Sequence, residues 1–164
     1  MRKLVLIAAI LTAAIMSPAQ AATSDIRMDV TATVVANCKL IVPPLSFGTY
    51  DPLAAHADQP ADASVTMSVI CTRNTTASVS FDLGLHSSSG DNRGMNGPSA
   101  EVLQYQIYRD AARSQIWLNG TEAMRMLTNG VTSPNVLTVF GRIPPRQEVA
   151  PGAYTDVLTA TVDF

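Results

Sequence analysis

Alternation of apolar and polar side chains is the dominant pattern along this chain. It begins at residues 26–35, where Arg27, Asp29 and Thr31 share one phase and the apolar residues share the other. The apolar set is Ile26, Met28, Val30, Ala32 and Val34. Because successive side chains of a strand point to opposite faces, this stretch predicts a β-strand with one apolar face. That face must be covered by this chain or by another molecule.

The same alternation recurs at short intervals, between clusters of turn-forming residues, while helical periodicity is scarce. This pattern is typical of an all-β sandwich. The further predicted strands are residues 39–42, 64–72, 77–85, 101–109, 136–143 and 154–164, with 116–118 as a short partner. Turn chemistry at 86–99 predicts a surface loop. Asp156 falls in the apolar phase of the last strand, so it must either precede the buried part or accept hydrogen bonds.

The N-terminus has the features of an export signal. Arg2 and Lys3 precede an apolar run at residues 4–16, and Ala19-Gln20-Ala21 follows. These features predict a signal peptide that is cleaved after Ala21. The run of 13 residues is shorter than the roughly 20 that a membrane-spanning helix needs. A mature chain of this length is expected to form one domain.

The charge of the mature chain indicates which partners are not expected, and its cysteines indicate an oxidising compartment. Without Arg2 and Lys3, nine basic residues face 13 acidic ones, a net charge of −4. Because lysine and arginine are not clustered, neither a nucleic-acid partner nor an anionic membrane surface is expected. Cys38 and Cys71 are the two cysteines, and export predicts that they form one structural disulfide.

The side chains that support catalysis or metal binding do not form a recognisable motif. His56 and His86 lie in polar loops without a metal-ligand spacing, and they are expected to be exposed. Trp117 is expected in the core or at its rim. Three acidic residues without a calcium-loop spacing are expected to be solvated: Asp51, Asp58 and Asp62. We therefore predict no enzymatic activity, no cofactor and no metal.

Four stretches together resemble the spore coat protein U domain family, which includes the subunits of archaic chaperone-usher pili of Gram-negative bacteria. They are "LSFGTYDPL" at 45–53, "VICT" at 69–72, "LQYQIYRDAARSQIW" at 103–117 and "VFGRIPPRQEVAPGAYTDVLTATVDF" at 139–164. With Cys38 as the leading cysteine, the resemblance covers residues 38–164. The order and spacing of the stretches, after an export signal, make it specific.

The resemblance implies an incomplete immunoglobulin-like, pilin-type β-sandwich that is completed by donor-strand exchange. The implied organisation is a signal peptide at 1–21, a donor segment at 22–37 and a sandwich domain at 38–164. The donor side chains would be Ile26, Met28, Val30, Ala32 and Val34. The acceptor groove would be bordered by Leu158, Val162 and Phe164.

The resemblance also implies partners and a location. The partners would be neighbouring pilus subunits, a periplasmic chaperone and an outer-membrane usher. The chain would pass through the periplasm to the cell surface, where the fibre would support adhesion or biofilm formation.

Two alternatives remain open at this stage. From alternation alone, residues 26–35 would pair within their own domain as an ordinary first strand, and the resemblance reverses this preference. The chain could also be a tip adhesin, or a self-complete secreted domain of a binding, coat, inhibitor or enzyme type.

Overall fold

The computed structural model describes residues 20–87 and 90–164, and this part of the chain contains eight β-strands in two antiparallel sheets. The strands are β1 (Cys38–Ile41), β2 (Ala61–Cys71), β3 (Thr76–Phe81), β4 (Arg93–Asn96), β5 (Val102–Tyr108), β6 (Met124–Leu127), β7 (Asn135–Ile143) and β8 (Ala160–Asp163). Two short 3₁₀ helices span Pro98–Ala100 and Gly120–Glu122. The predicted signal peptide lies almost entirely outside the described residues.

The two sheets enclose one apolar core. The larger sheet has the order β1-β2-β7-β5-β4, and the smaller one has the order β6-β3-β8. Alternate side chains of the central strands are buried between them, among them Met67 and Val69 of β2, Val79 of β3 and Ile107 of β5. The all-β class predicted from the alternation is therefore confirmed.

Trp117 lies in this core and is fully buried. Its indole Nε1 donates a hydrogen bond to the Val79 carbonyl oxygen at 2.9 Å, so burial leaves no unpaired donor on the ring. Its ring meets Phe81 edge to face, with 5.1 Å between centroids. The prediction of a core position is confirmed.

Five of the predicted strands coincide with β1, β2, β3, β5 and β7, while the first and the last predicted strands differ from the structure. Residues 20–37 contain neither helix nor strand, so the first predicted strand is not formed within the described chain. The last predicted strand shortens to Ala160–Asp163, while residues 154–159 make only an isolated bridge between Thr155 and Asn96.

The prediction of a surface loop at 86–99 is wrong for residues 93–96. These residues form β4, which pairs with β5 from Arg93↔Tyr105 to Asn96↔Val102. Gly94 allows the two strands to pack closely there, because an added Cβ would lie 2.4 Å from Val102 Cγ1. β6 was also not predicted, and it pairs with β3.

Arg93 is fully buried and joins three parts of the sandwich. Its guanidinium donates to the Asp82 carbonyl oxygen at 3.0 Å from Nε and 2.6 Å from Nη2, and to the Trp117 carbonyl oxygen at 2.8 Å. Nη1 donates to Gln106 Oε1 on β5. Burial lowers the pKa of Arg93 from its ordinary value, and these acceptors compensate the desolvated cation.

Cys38 and Cys71 form a disulfide, as the sequence predicts. The two cysteines are directly opposite each other in the β1–β2 pairing. Next to the bond, Thr72 Oγ1 accepts from the Asn37 amide at 3.1 Å, and the Thr72 amide donates to the Asn37 carbonyl oxygen at 2.9 Å. The chain is thus fixed to the sandwich immediately after residue 36.

Candidate functional site

An apolar groove opens between the two sheets, bounded by the segment that follows β1 and the segment that leads into β8. Its volume is about 530 Å³. Core-facing side chains of four strands line it: Val65, Phe81, Ile107 and Val139. Two chain segments form its sides, and we call them the 42–47 wall and the 154–160 wall.

The 42–47 wall continues directly from β1. Pro43 and Pro44 lack the amide donors that a strand needs, and β1 accordingly ends at Ile41. Leu45 and Phe47 then pack over Gly141 of β7, where an added Cβ would lie 2.7 Å from each side chain. Glycine at this position of β7 therefore lets the wall approach the sheet closely.

The 154–160 wall is held largely by side-chain contacts. Tyr154 donates from its hydroxyl to the Ala150 carbonyl oxygen at 2.7 Å. The Thr159 amide donates to Asp82 Oδ1 at 2.9 Å, and the Asp82 amide donates to the Thr159 carbonyl oxygen at 3.1 Å. Burial opposes ionisation of Asp82, but the bonds from Thr159 and Gly84 outweigh it and lower the pKa of that carboxyl.

Asp156 is the polar centre of this wall, and its side chain is only 3% exposed. Its Oδ2 accepts from the Tyr105 hydroxyl at 2.7 Å, and its Oδ1 accepts from the Leu85 amide at 3.1 Å. His86 Nδ1 lies 3.0 Å from the same Oδ1. Burial and the hydrogen bond from its hydroxyl to Asp156 raise the pKa of Tyr105 well above its ordinary value. Of the two alternatives for Asp156, hydrogen bonding to a loop is the one realised.

Each wall adjoins a strand with one free edge: the 42–47 wall follows β1, and the 154–160 wall leads into β8. β8 pairs with β3, and β1 pairs with β2. Within residues 20–87 and 90–164, no strand pairs with the other edge of either one. Free edges present amide and carbonyl groups that can pair with a further strand. The site therefore combines an apolar groove with two backbone edges.

The three residues predicted to border the groove occupy different places. Leu158 lines it. Val162 packs against the core from β8. Phe164 is 57% exposed and lines a separate cavity of about 500 Å³, beside Arg125 of β6.

Sequence reasoning missed most of the groove, including the 42–47 wall and Tyr105. Two sequence signals point to it in retrospect. The proline pair after β1 marks a segment that leaves the sheet, and the acidic residue in an apolar phase marks Asp156.

The predicted donor segment carries exposed apolar side chains at alternate positions. Ile26 is 92% exposed, Met28 83%, Val30 81% and Val34 82%, and Ala32 is also exposed. Single exposed apolar residues are common, but a regular series of this kind is typical of a surface that another molecule covers.

Two predictions about polar residues need correction. His56 and His86 are half-buried, and His56 stacks on Tyr50 with 5.0 Å between the ring centroids. Asp62 lies on β2 and forms a bidentate ion pair with Arg142, at 2.7 and 2.8 Å. The hydrogen bond from Arg142 lowers the pKa of Asp62, so this acid has a cross-strand role.

Within residues 20–87 and 90–164, no group of three or more His, Cys, Asp and Glu side chains is arranged so that it could hold a metal ion. In the same ranges, no helix has the length and apolar character needed to cross a membrane.

Comparison with known proteins gives three consistent findings. The sequence matches the Spore Coat Protein U domain family over residues 25–161. It is 33% identical over 160 residues to Protein U of Myxococcus xanthus, a match that spans 90% of this chain and 89% of the relative.

The third finding is structural. The fold is similar to a chain in the crystal structure of the CsuC–CsuE chaperone–tip adhesion subunit pre-assembly complex, from archaic chaperone-usher Csu pili of Acinetobacter baumannii. The TM-score is 0.60 at 24% identity, and the match covers 80% of this chain but 40% of the solved one. This similarity supports the predicted sandwich fold.

Proposed function

Because the chain belongs to the Spore Coat Protein U domain family, we propose that it is a structural subunit of a chaperone-usher surface fibre. The observation that supports this most directly is the apolar groove between the segment that follows β1 and the segment that leads into β8, two strands that each have a free edge. An apolar groove next to free strand edges suits an extended strand better than a compact ligand.

The occupant that we propose is residues 26–34 of a second copy of this chain. Their apolar side chains alternate, as insertion into a groove with one apolar floor requires. Burial of four large apolar side chains and one alanine would contribute about 6–12 kcal/mol before ordering costs. Pairing with the edges of β1 and β8 would fix the direction of the strand.

The arrangement would generate a filament. The donor segment and the groove are different surfaces of one chain, so the contact between copies would be heterologous. Each added subunit would then present a new groove or a new donor segment, and growth would continue without closure.

Assembly would need helper proteins, because a free apolar groove with two strand edges invites aggregation. A periplasmic chaperone would cover the groove before assembly, and an outer-membrane usher would export the fibre. The organisation would be a signal peptide at 1–21, a donor segment at 22–37 and a sandwich at 38–164. The role would be structural, at the cell surface as a fimbria, and the fibre would support adhesion or biofilm formation.

A charge at one donor position tests the proposal. We expect Val30→Asp to abolish oligomers that resist denaturant, because it would place a carboxylate in the apolar groove. Thr31→Asp is the matched control, since it adds the same charge at the neighbouring position that would face outward. Both variants of residues 22–164 are expressed with the cognate chaperone, and unheated samples are compared by gel electrophoresis. Ladders from Val30→Asp equal to those from Thr31→Asp would refute donor insertion.

A further inference from the structure

We propose that Asp156 is the positioning residue of the groove, and that it holds the 154–160 wall at the spacing at which an apolar strand can enter. The inference rests on the proposed function, since it concerns how the groove accepts its strand. Strand entry would depend on Asp156 through its hold on the 154–160 wall.

The 154–160 wall needs such a residue because backbone pairing does not fix most of it. Pairing of β8 with β3 begins only at Ala160, opposite Phe81. Ahead of that point, the described backbone hydrogen bonds hold the ends of the wall: those between Thr155 and Asn96, and one from the Asp82 amide to the Thr159 carbonyl oxygen. Side-chain contacts must therefore set the distance of residues 156–158 from the rest of the sandwich.

Asp156 connects this wall to both sheets. Its Oδ1 accepts from the Leu85 amide and lies 3.0 Å from His86 Nδ1, and both residues follow β3 of the smaller sheet. Its Oδ2 accepts from Tyr105, which belongs to β5 of the larger sheet. The carboxylate oxygens thus accept from one backbone amide and from one side-chain hydroxyl. An apolar side chain could fill the same space but could not make these connections.

The connection continues across the groove to the opposite wall. The Tyr105 ring meets Phe47 edge to face, with 6.0 Å between centroids at an interplanar angle of 66°. Asp156, Tyr105 and Phe47 all line the groove. These contacts link the 154–160 wall to the 42–47 wall. The width of the groove therefore depends on the Asp156 carboxylate.

The chain around Asp156 is shaped to admit the carboxylate. Gly84 has a positive φ of 82°, and an added Cβ there would lie 2.1 Å from Asp156 Oδ2. The loop after β3 thus depends on glycine for both its backbone conformation and its clearance. This close fit agrees with a role in positioning.

Binding of a donor peptide to a chain with a disabled donor segment tests the inference. The background is Val30→Asp in residues 22–164, kept as its complex with the cognate chaperone, and the probe is a fluorescein-labelled peptide of residues 22–37, whose entry is followed by anisotropy. We expect Asp156→Asn to slow peptide association by about 10-fold, because charge-assisted bonds to the wall are lost. Tyr105→Phe removes one of these bonds and is expected to slow association by about 3-fold.

The matched control is Thr128→Val, which removes a buried hydroxyl that donates to the Thr72 and Thr75 carbonyl oxygens, away from the groove. It should lower stability and leave peptide association within about 2-fold of the background. The double variant Asp156→Asn/Tyr105→Phe should match Asp156→Asn alone, because the two residues act through one contact.

The outcomes separate the two proposals. Absence of peptide binding to the Val30→Asp background itself would refute the proposed function. Equal association rates for the Asp156→Asn, Tyr105→Phe and Thr128→Val variants would refute the positioning role and leave the proposed function intact. If Asp156→Asn does not fold, the 3-fold effect of Tyr105→Phe against Thr128→Val decides the question.

Discussion

Removal of residues 22–36 from the mature chain is expected to abolish oligomer assembly, because it deletes every apolar side chain that we assign to the donated strand. The disulfide and all strands described here lie outside the deletion, so the sandwich keeps its own contacts. The contacts between Asn37 and Thr72 are also retained. The truncated chain should therefore fold but expose its groove.

Periplasmic expression with and without the cognate chaperone measures this effect. Residues 22–164 should give ladders of denaturant-resistant oligomers, and the truncated chain should give chaperone-bound monomers. Ladders from the truncated chain would contradict the account. A full-length chain that remains a stable monomer without chaperone would favour a self-complete domain instead.

A fused variant supplies the matched rescue. Residues 24–35 are attached after Phe164 of the truncated chain through a short turn-forming linker. Since β8 ends at Asp163, the added segment can return antiparallel along the free edge of β8. This variant should be a soluble monomer that needs no chaperone and forms no ladders. Continued dependence on the chaperone would show that the groove does not accept this segment.

Replacement of Arg93 by methionine in this fused monomer is expected to lower the free energy of unfolding by about 3–5 kcal/mol. The change would leave the Asp82 and Trp117 carbonyl oxygens and the Gln106 side chain without the donor that they share. These acceptors lie in or next to the core, where water cannot replace a lost partner without rearrangement.

Urea unfolding followed by the emission of Trp117, the single tryptophan, measures the loss. The matched control is Arg93→Lys, which retains the charge but not the planar set of donors, and it should cost about 1–3 kcal/mol. If the free energy of unfolding of the methionine variant lies within about 0.5 kcal/mol of that of its parent, the contacts of Arg93 do not stabilise the sandwich.

The elements that the sequence predicts best are those with strict alternation over a long pairing. β2 and β7 are examples, because one face of each is buried and a shift by one residue would expose it. β4 could not be predicted in this way. It has four residues, of which only Met95 is apolar, and its strand conformation depends on β5 and on the buried contacts of Arg93.

The groove was harder to predict than the strands, because separate segments of the chain contribute to it. Alternation identified Leu158, but it could not show that Phe164 turns away from the groove. Phe47 enters the groove only because Gly141, far away in the sequence, leaves room for it. Asp156 was noticed as an exception to the apolar phase, yet its partners Tyr105 and His86 become apparent only in three dimensions.

Cross-linking from a single donor position tests the central claim most directly. A photoreactive diazirine amino acid replaces Met28, assembly proceeds from a mixture of ¹⁴N- and ¹⁵N-labelled chains, and mass spectrometry identifies the products. The account predicts cross-links between differently labelled chains, from residue 28 to peptides of the 42–47 and 154–160 walls. Cross-links confined to one chain, or links between chains that reach only the outer face of β6, would contradict it.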